Sequence, residues 1–353
     1  MLLKLCAISL PIFQPVLSAT YTLSRSWSGE AFFNDFEWQT FDDPTHGRVN
    51  YVDQDTAKAQ NLSWAGDGVF VMRADASKIV DPSARGRDSV RIHSKDLYGD
   101  GVLVVDVSHM PVGCAVWPAV WTCTPGSWPT GGEVDIIEGI YGIHSGYSNN
   151  LFSLHTDPGC MMPQSQDSKD RGSGTALQPD CRGNVGCGVK DTSLKSFGRD
   201  FNKNGGGVFV MRRSMTRGFS MWFWPHDSGY LPSDVGGGSQ VIMESLWSQP
   251  IANFPPDRCD FAKYFDKHEI IINLTFGGDW AGLDELWQGS GCPGSLNWTI
   301  NDFVDKNPGE FLEAFWEIRA MRWYEEVPVG AGGGRRCAAK RDAHAHILEG
   351  RGA

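Results

Sequence analysis

The sequence is poor in positive charge: 31 Lys+Arg stand against 42 Asp+Glu in 353 residues, a formal net charge of -11. Phosphate binding draws on a basic footprint, so a nucleic-acid role is excluded. Beyond residue 19 no stretch approaches the ~20 consecutive apolar residues of a membrane-spanning helix. Long helical periodicity and internal repeats are also missing. So are a serine nucleophile elbow, a His-Glu-x-x-His pair and a phosphate-cradling glycine loop, which removes esterase, zinc-peptidase and kinase-like chemistry.

What is present begins with Met1–Ala19, where Lys4 precedes an apolar run from Leu5 to Leu17 and small residues at Ser18 and Ala19 close the segment. This pattern reads as a secretory signal peptide, and the protein is expected outside the cell. Removing Cys6 with it leaves eight of nine cysteines, an even number for disulfides in an oxidising compartment. Asn61-Leu62-Ser63, Asn273-Leu274-Thr275 and Asn297-Trp298-Thr299 are acceptor triplets for N-glycosylation on the same route. At the other end, 327–353 is glycine-rich and then basic without aromatics, and reads as a disordered tail.

Between these ends the chain consists of short alternating segments punctuated by glycine, such as 68–72, 103–107 and 208–211. In Phe219–Trp224 one face collects Phe219, Met221 and Phe223, while Ser220, Trp222 and Trp224 take the other, the period of a strand. The expected fold is all-β, an antiparallel sandwich or jelly roll. One short helix is expected after Pro308, where Phe311 and Phe315 are spaced four apart. The polar stretch 159–203 holds Cys160, Cys181 and Cys187 and is expected to be an ordered loop stapled by at least one disulfide.

Chemistry concentrates in Gly132-Glu133-Val134-Asp135-Ile136-Ile137-Glu138-Gly139. Carboxylates beside Val134, Ile136 and Ile137 are costly to bury unless they face a cleft or a partner. Glu133 and Asp135 share a face of a regular strand, but Glu138 is an odd number of steps away and would enter the opposite layer. A β-bulge between Asp135 and Glu138 reverses the phase and brings all three to one face. Four steps of ~3.3 Å then separate the glutamate backbones by about 13 Å. Inward-leaning side chains narrow the carboxylate gap to about 5–6 Å, near that of a retaining glycosidase. A solvated acidic strand face or a calcium site would show a similar spacing.

The segment resembles the catalytic signature of glycoside hydrolase family 16, in particular its fungal laminarinase-like endo-β-1,3(4)-glucanases. The resemblance extends from Tyr21 to about Glu326 through Asp43-Pro44-Thr45-His46-Gly47, Asn50-Tyr51-Val52-Asp53, Ser89-Val90-Arg91-Ile92, Trp117-Pro118-Ala119-Val120-Trp121, Leu154-His155-Thr156, Gly278-Asp279-Trp280-Ala281-Gly282 and Ser290-Gly291-Cys292-Pro293-Gly294. It implies one catalytic domain, 20–326, folded as a concanavalin A-like jelly roll with a glucan cleft on its concave face. It also implies Glu133 as nucleophile, Asp135 as its assisting acid and Glu138 as acid/base, with no cofactor and no metal. The partner implied is a β-glucan, met by a monomer with no nucleic acid or membrane involved. A transglycosylase of the same fold and a non-catalytic lectin are the competing readings. This sequence departs from the family at Gly277, where relatives carry a cysteine, so one family disulfide is expected to be missing or rearranged. Its segment 141–150 is also longer.

A β-linked glucose ring offers flat C–H faces and equatorial hydroxyls, so its site needs aromatic platforms and polar groups at the ring edge. Trp121, Trp128 and Trp280 are the platforms that the resemblance favours, while Trp117 is as readily a core residue. His155 is expected beside the reacting sugar, and Asn50 and Arg91 complete the candidate binding set. Arg91 alternates with Val90 and Ile92 and should point to the polar face.

Overall fold

The computed structural model describes residues 19–126, 128–163 and 172–328. Residues 1–18, which make up all but the last residue of the expected signal segment Met1–Ala19 and include Cys6, and residues 329–353, with Cys337, lie outside them. Contacts gather Ser18–Glu326 into one compact unit. No helix among the described residues is long and apolar enough to cross a membrane.

The first half of the unit supplies β1 (Thr20–Trp27), β2 (Phe36–Trp38), β3 (Val49–Tyr51), β4 (Ser63–Gly66), β5 (Val69–Arg73), β6 (Arg87–Ser89), β7 (Arg91–Ser94), β8 (Gly101–His109), β9 (Val116–Cys123) and β10 (Glu133–Glu138). The second half supplies β11 (Leu151–His155), β12 (Thr175–Ala176), β13 (Cys187–Lys190), β14 (Gly207–Ser214), β15 (Gly218–Pro225), β16 (Val241–Met243), β17 (Ala252–Phe254), β18 (Glu269–Phe276) and β19 (Phe315–Glu326). Two antiparallel sheets result. The outer sheet runs β16-β1-β19-β8-β14-β15-β17, with β5 on β19 and β4 on β5, and the inner sheet runs β12-β13-β11-β10-β9-β18-β7-β2. This is the sandwich that the alternating segments predict.

Residues of period two from both sheets build the core between them. Leu103, Val105, Phe209, Met211, Phe219, Met221 and Phe223 from the outer sheet meet Val120, Val134, Phe152, Leu154, Ile270 and Ile272 from the inner one. The opposite face of the outer sheet is covered as well, with Trp222, Trp224, Val102 and Val104 packing under Val235, Ile242 and Trp247. The alternation read in Phe219–Trp224 therefore holds, and both of its faces are buried.

Two local expectations are corrected. Pro308–Phe311 makes a single 3-10 turn, and Phe315 opens β19 opposite Arg73 instead of continuing a helix. The stretch 159–203 is more than a stapled loop, because Cys187–Lys190 adds to the inner sheet beside β11. Its bridges are Cys181–Cys187, within the segment, and Cys160–Cys259, which ties it to the chain before β18. Cys114–Cys292 is the third bridge, and Cys123 is unpaired among the described residues. Gly277, where the family cysteine was expected, has φ 67°, a conformation that glycine adopts without strain.

Candidate active site

The three acids lie on β10, in the middle of the inner sheet. Against β9 the register runs Glu133↔Cys123, Val134↔Thr122 and Asp135↔Trp121, then slips to Ile137↔Val120 and Glu138↔Ala119. The extra residue is Ile136, so Ile136 and Ile137 both enter the core while Glu133, Asp135 and Glu138 keep the phase of Trp121 and Ala119. The bulge expected from the odd spacing is present where the acids require it.

A bulge leaves backbone groups without a ladder partner. Here the side chain of Asn150 takes their place. Fully buried, it accepts the Glu138 N–H at Oδ1 over 3.0 Å and donates from Nδ2 to the Ile136 carbonyl over 2.9 Å. Asn150 was not anticipated. It lies twelve residues beyond Glu138, and its only local signal is an amide just before a strand.

Each acid has its own partner. Trp128 Nε1 donates to Glu133 Oε2 at 2.8 Å, and Trp117 Nε1 donates to Glu138 Oε1 at 3.0 Å. Asp135 Oδ2 faces His155 Nε2 at 3.1 Å, and the same nitrogen lies 3.9 Å from Glu133 Oε1. His155 sits on β11 directly opposite Glu133, and its Nδ1 meets the Gly183 carbonyl at 2.8 Å. The hairpin closed by Cys181–Cys187 supplies that carbonyl and leaves no room beyond the imidazole, since a Cβ on Gly186 would come within 2.6 Å of the ring.

Burial, reinforced by the charge of Asp135, pushes Glu133 and Glu138 upward from the ordinary carboxyl range. His155 responds the other way to its carboxylates. Burial disfavours its charged form, but Asp135 and Glu133 outweigh that and push it up to about 10, so it is an imidazolium at neutral pH. Of the two glutamates, Glu133 is the one within 3.9 Å of that cation.

The tryptophans expected as platforms fall around these acids. Trp128 is half exposed beside His155, with ring centroids 6.1 Å apart. Trp280 stands edge-on to Trp117 at 5.7 Å, so an indole pair flanks Glu138. The hydrogen bond of Trp117 to Glu138 was not anticipated, although its spacing of four from Trp121 puts both on the acid-bearing face of β9. Trp121 donates to Asn273 Oδ1 at 2.7 Å. Arg91 does point to the polar face, but it is a strut: its guanidinium lies 5.0 Å from the Trp121 ring and 5.1 Å from that of Phe41, and its Nε donates to Gln39. Asn50 is not brought to the acids. It is held by Asp88 at 2.6 Å and Arg85 at 3.2 Å, in a cluster that supports the Phe41 loop through Arg85.

The acid-bearing face of the inner sheet also carries His93 and Glu269, paired at 2.6 Å on β7 and β18, which sequence reading passed over. Their signal was an acid heading an isoleucine run, and a histidine in phase with Arg91. The acceptor Asn273 is 6% exposed on this same face, while Asn61 and Asn297 are exposed.

A family model described as the XgeA-like, catalytic GH16 domain matches residues 36–324. The chain belongs to glycoside hydrolase family 16. It is 40% identical over 312 residues to a probable glycosidase of Schizosaccharomyces pombe, covering 87% of this chain and 70% of that protein. A probable endo-1,3(4)-beta-glucanase of Aspergillus fumigatus is 38% identical over 320 residues, but the chain spans only 46% of its length. Among solved structures, Laminarinase 16A from Phanerochaete chrysosporium, with beta-glucans in donor and acceptor sites, superposes with a TM-score of 0.82 at 43% identity over 87% of this chain and all of that one. An elongating family 16 beta-1,3-glucosyltransferase follows at 0.77 and 34% identity, over 86% of this chain and all of that one. The family 16 chain described here is thus endo-1,3(4)-β-glucanase-like, and the jelly roll of the laminarinases is its fold.

Proposed function

We propose that this chain is a secreted, retaining endo-β-glucanase that cleaves β-1,3 or mixed β-1,3/1,4-glucan. The observation that carries the reading is the bulge at Ile136, which aligns three acids on one face and leaves each with a different partner. Burial raises both glutamates, and Glu133, hydrogen-bonded by Trp128 and the nearer of the two to the His155 imidazolium, is the one assigned as nucleophile. Its carboxylate attacks the anomeric carbon while Glu138 gives its proton to the departing oxygen, which yields a glycosyl-enzyme ester. Glu138 then takes a proton from water, and the water oxygen displaces Glu133. The raised carboxyl of Glu138 suits the first half of that cycle. Asp135, between the two and against His155, holds the imidazolium in place.

The three disulfides favour an oxidising compartment, in keeping with the signal-like Met1–Ala19. The test is reducing-sugar release from laminarin and lichenan by the purified chain. Glu133→Gln and Glu138→Gln should each lower kcat by at least about 100-fold. A parent chain that binds laminarin and releases nothing would establish a lectin instead.

The similarity to the elongating glucosyltransferase favours one second reading, in which a sugar hydroxyl replaces water at the ester. Mass spectrometry of products from laminaripentaose separates the two. Oligosaccharides longer than the donor mark transfer, and shorter ones alone mark hydrolysis.

A further inference from the structure

We infer that Glu133, Asp135 and His155 form a site for a zinc-class divalent cation, an inhibitory site that takes the nucleophile as a ligand. One carboxylate oxygen from each acid and one ring nitrogen of His155 all lie within 4.8 Å of one another. The distances from His155 Nε2 are 3.1 Å to Asp135 Oδ2 and 3.9 Å to Glu133 Oε1. A tetrahedral zinc ion with bonds of ~2.0–2.2 Å holds its ligand atoms about 3.4 Å apart, so the two distances from His155 need shifts of about half an ångström or less, and the two carboxylate oxygens, within 4.8 Å of each other, close onto the ion by side-chain rotation.

Two features set this cluster apart from an ordinary acidic patch. Asp135 is 3% exposed, and its Oδ2 has the His155 Nε2 at 3.1 Å as an ion-pair partner but no aligned hydrogen bond from backbone or another side chain, so a buried oxygen is aimed at the point it shares with that ring. The His155 ring is already held as a ligand histidine is held: Nδ1 donates to the Gly183 carbonyl, Gly186 backs the ring, and the disulfide-closed hairpin fixes both. The ring nitrogen that would ligate the cation is the Nε2 that faces Asp135 and Glu133. Binding exchanges the Nε2 proton of the imidazolium for the metal, with Nε2 giving its lone pair to the ion. An ion held there would take the carboxylate of Glu133 away from a sugar.

The experiment is calorimetric titration of the purified full chain with zinc chloride in chelator-free buffer, paired with X-ray absorption at the zinc edge. Cys337, His344 and His346 lie outside the described residues and are ligand types, so the triple variant Cys337→Ser, His344→Ala, His346→Ala is titrated beside the parent. His46→Ala controls for the exposed His46–Asp279 pair. We expect one site that survives both controls, shows an oxygen/nitrogen shell with one imidazole, and weakens by about 100-fold or more in His155→Gln. Glu133→Gln, which keeps the side chain's size, should weaken it at least tenfold and covers the case in which His155→Gln does not fold. Binding unchanged in Glu133→Gln, binding abolished by the tail variant, or sulfur in the zinc shell would each overturn the site. The block on catalysis rests on Glu133 being the nucleophile. A chain that binds zinc through His155 yet hydrolyses laminarin undiminished at saturation would refute that role and support the cation site.

Discussion

Asn150 is the strand partner that Glu138 lacks: its Oδ1 receives the Glu138 N–H at 3.0 Å while its Nδ2 holds the Ile136 carbonyl on the other side of the bulge. The position of the proposed acid/base thus depends on a side chain from the next strand's lead-in. Asn150→Ala would leave two buried backbone groups unpaired, at about 1–3 kcal/mol each. Asn150→Asp keeps the acceptor but sets a carboxylate against the Ile136 carbonyl. Both variants should lose stability in thermal unfolding. In whichever remains folded, kcat on laminarin should fall more than KM changes, because Glu138 is displaced and the aromatic platforms are not.

The indole of Trp117 favours the charged form of Glu138 through its hydrogen bond. Trp117→Phe keeps an aromatic ring against Trp280 and removes the donor. The carboxyl of Glu138 should then rise further. Since a general acid works only while protonated, the alkaline limb of the kcat/KM profile should move to higher pH. An alkaline limb that stays in place would show that Glu138 is not the group titrating there.

Glu133, Glu138 and His155 all hold their protons more tightly in the folded chain than in the unfolded one. Each therefore contributes stability at low pH that is lost as pH rises: the glutamates from the ordinary carboxyl range upward, His155 from its ordinary value of 6.5 towards about 10. Buried His109 and His268, whose charged forms are disfavoured, add stability as pH rises to about 7, so the fall should show in Tm from pH 7 to pH 9. Glu138→Gln, which has no proton to lose and no charge to bury, should flatten the fall and raise the alkaline stability by about 1 kcal/mol. A parent Tm that climbs over this interval would contradict the burial of these groups.

Of the three asparagines in glycosylation triplets, Asn273 is buried on the acid-bearing face and accepts from Trp121, so a glycan there is incompatible with the fold. Asn61 and Asn297 are exposed. Expression through a eukaryotic secretory route should yield mass shifts abolished by Asn61→Gln and Asn297→Gln, with the Asn273 peptide unmodified.

Much of this arrangement was legible from one conflict within the sequence. Three acids among Val134, Ile136 and Ile137 can share a face only if one residue is absorbed, and the register of β10 against β9 absorbs Ile136. Alternation likewise identified the strands, as in Phe219–Trp224. What stayed hidden depends on distant pairing. Asn150 acts through backbone atoms, which leave no pattern of residue types. Trp117 could not be told from core by spacing alone, because a tryptophan serves either purpose. Phe311 and Phe315 mimic a helical spacing, but pairing of Phe315 with Arg73, far away in sequence, decides the conformation there. Asn50 follows a similar logic, since the parallel pairing of β3 with β6 directs it to Asp88.

The first and last strands of the unit lie side by side in the outer sheet, with Tyr21 opposite Glu326. A short peptide could therefore join these two points without crossing the inner sheet that bears the acids. This makes the domain suited to circular permutation, or to insertion whole into a loop of a host protein. New ends opened in the exposed Asp67–Gly68 turn between β4 and β5 would leave β9, β10 and β11 continuous.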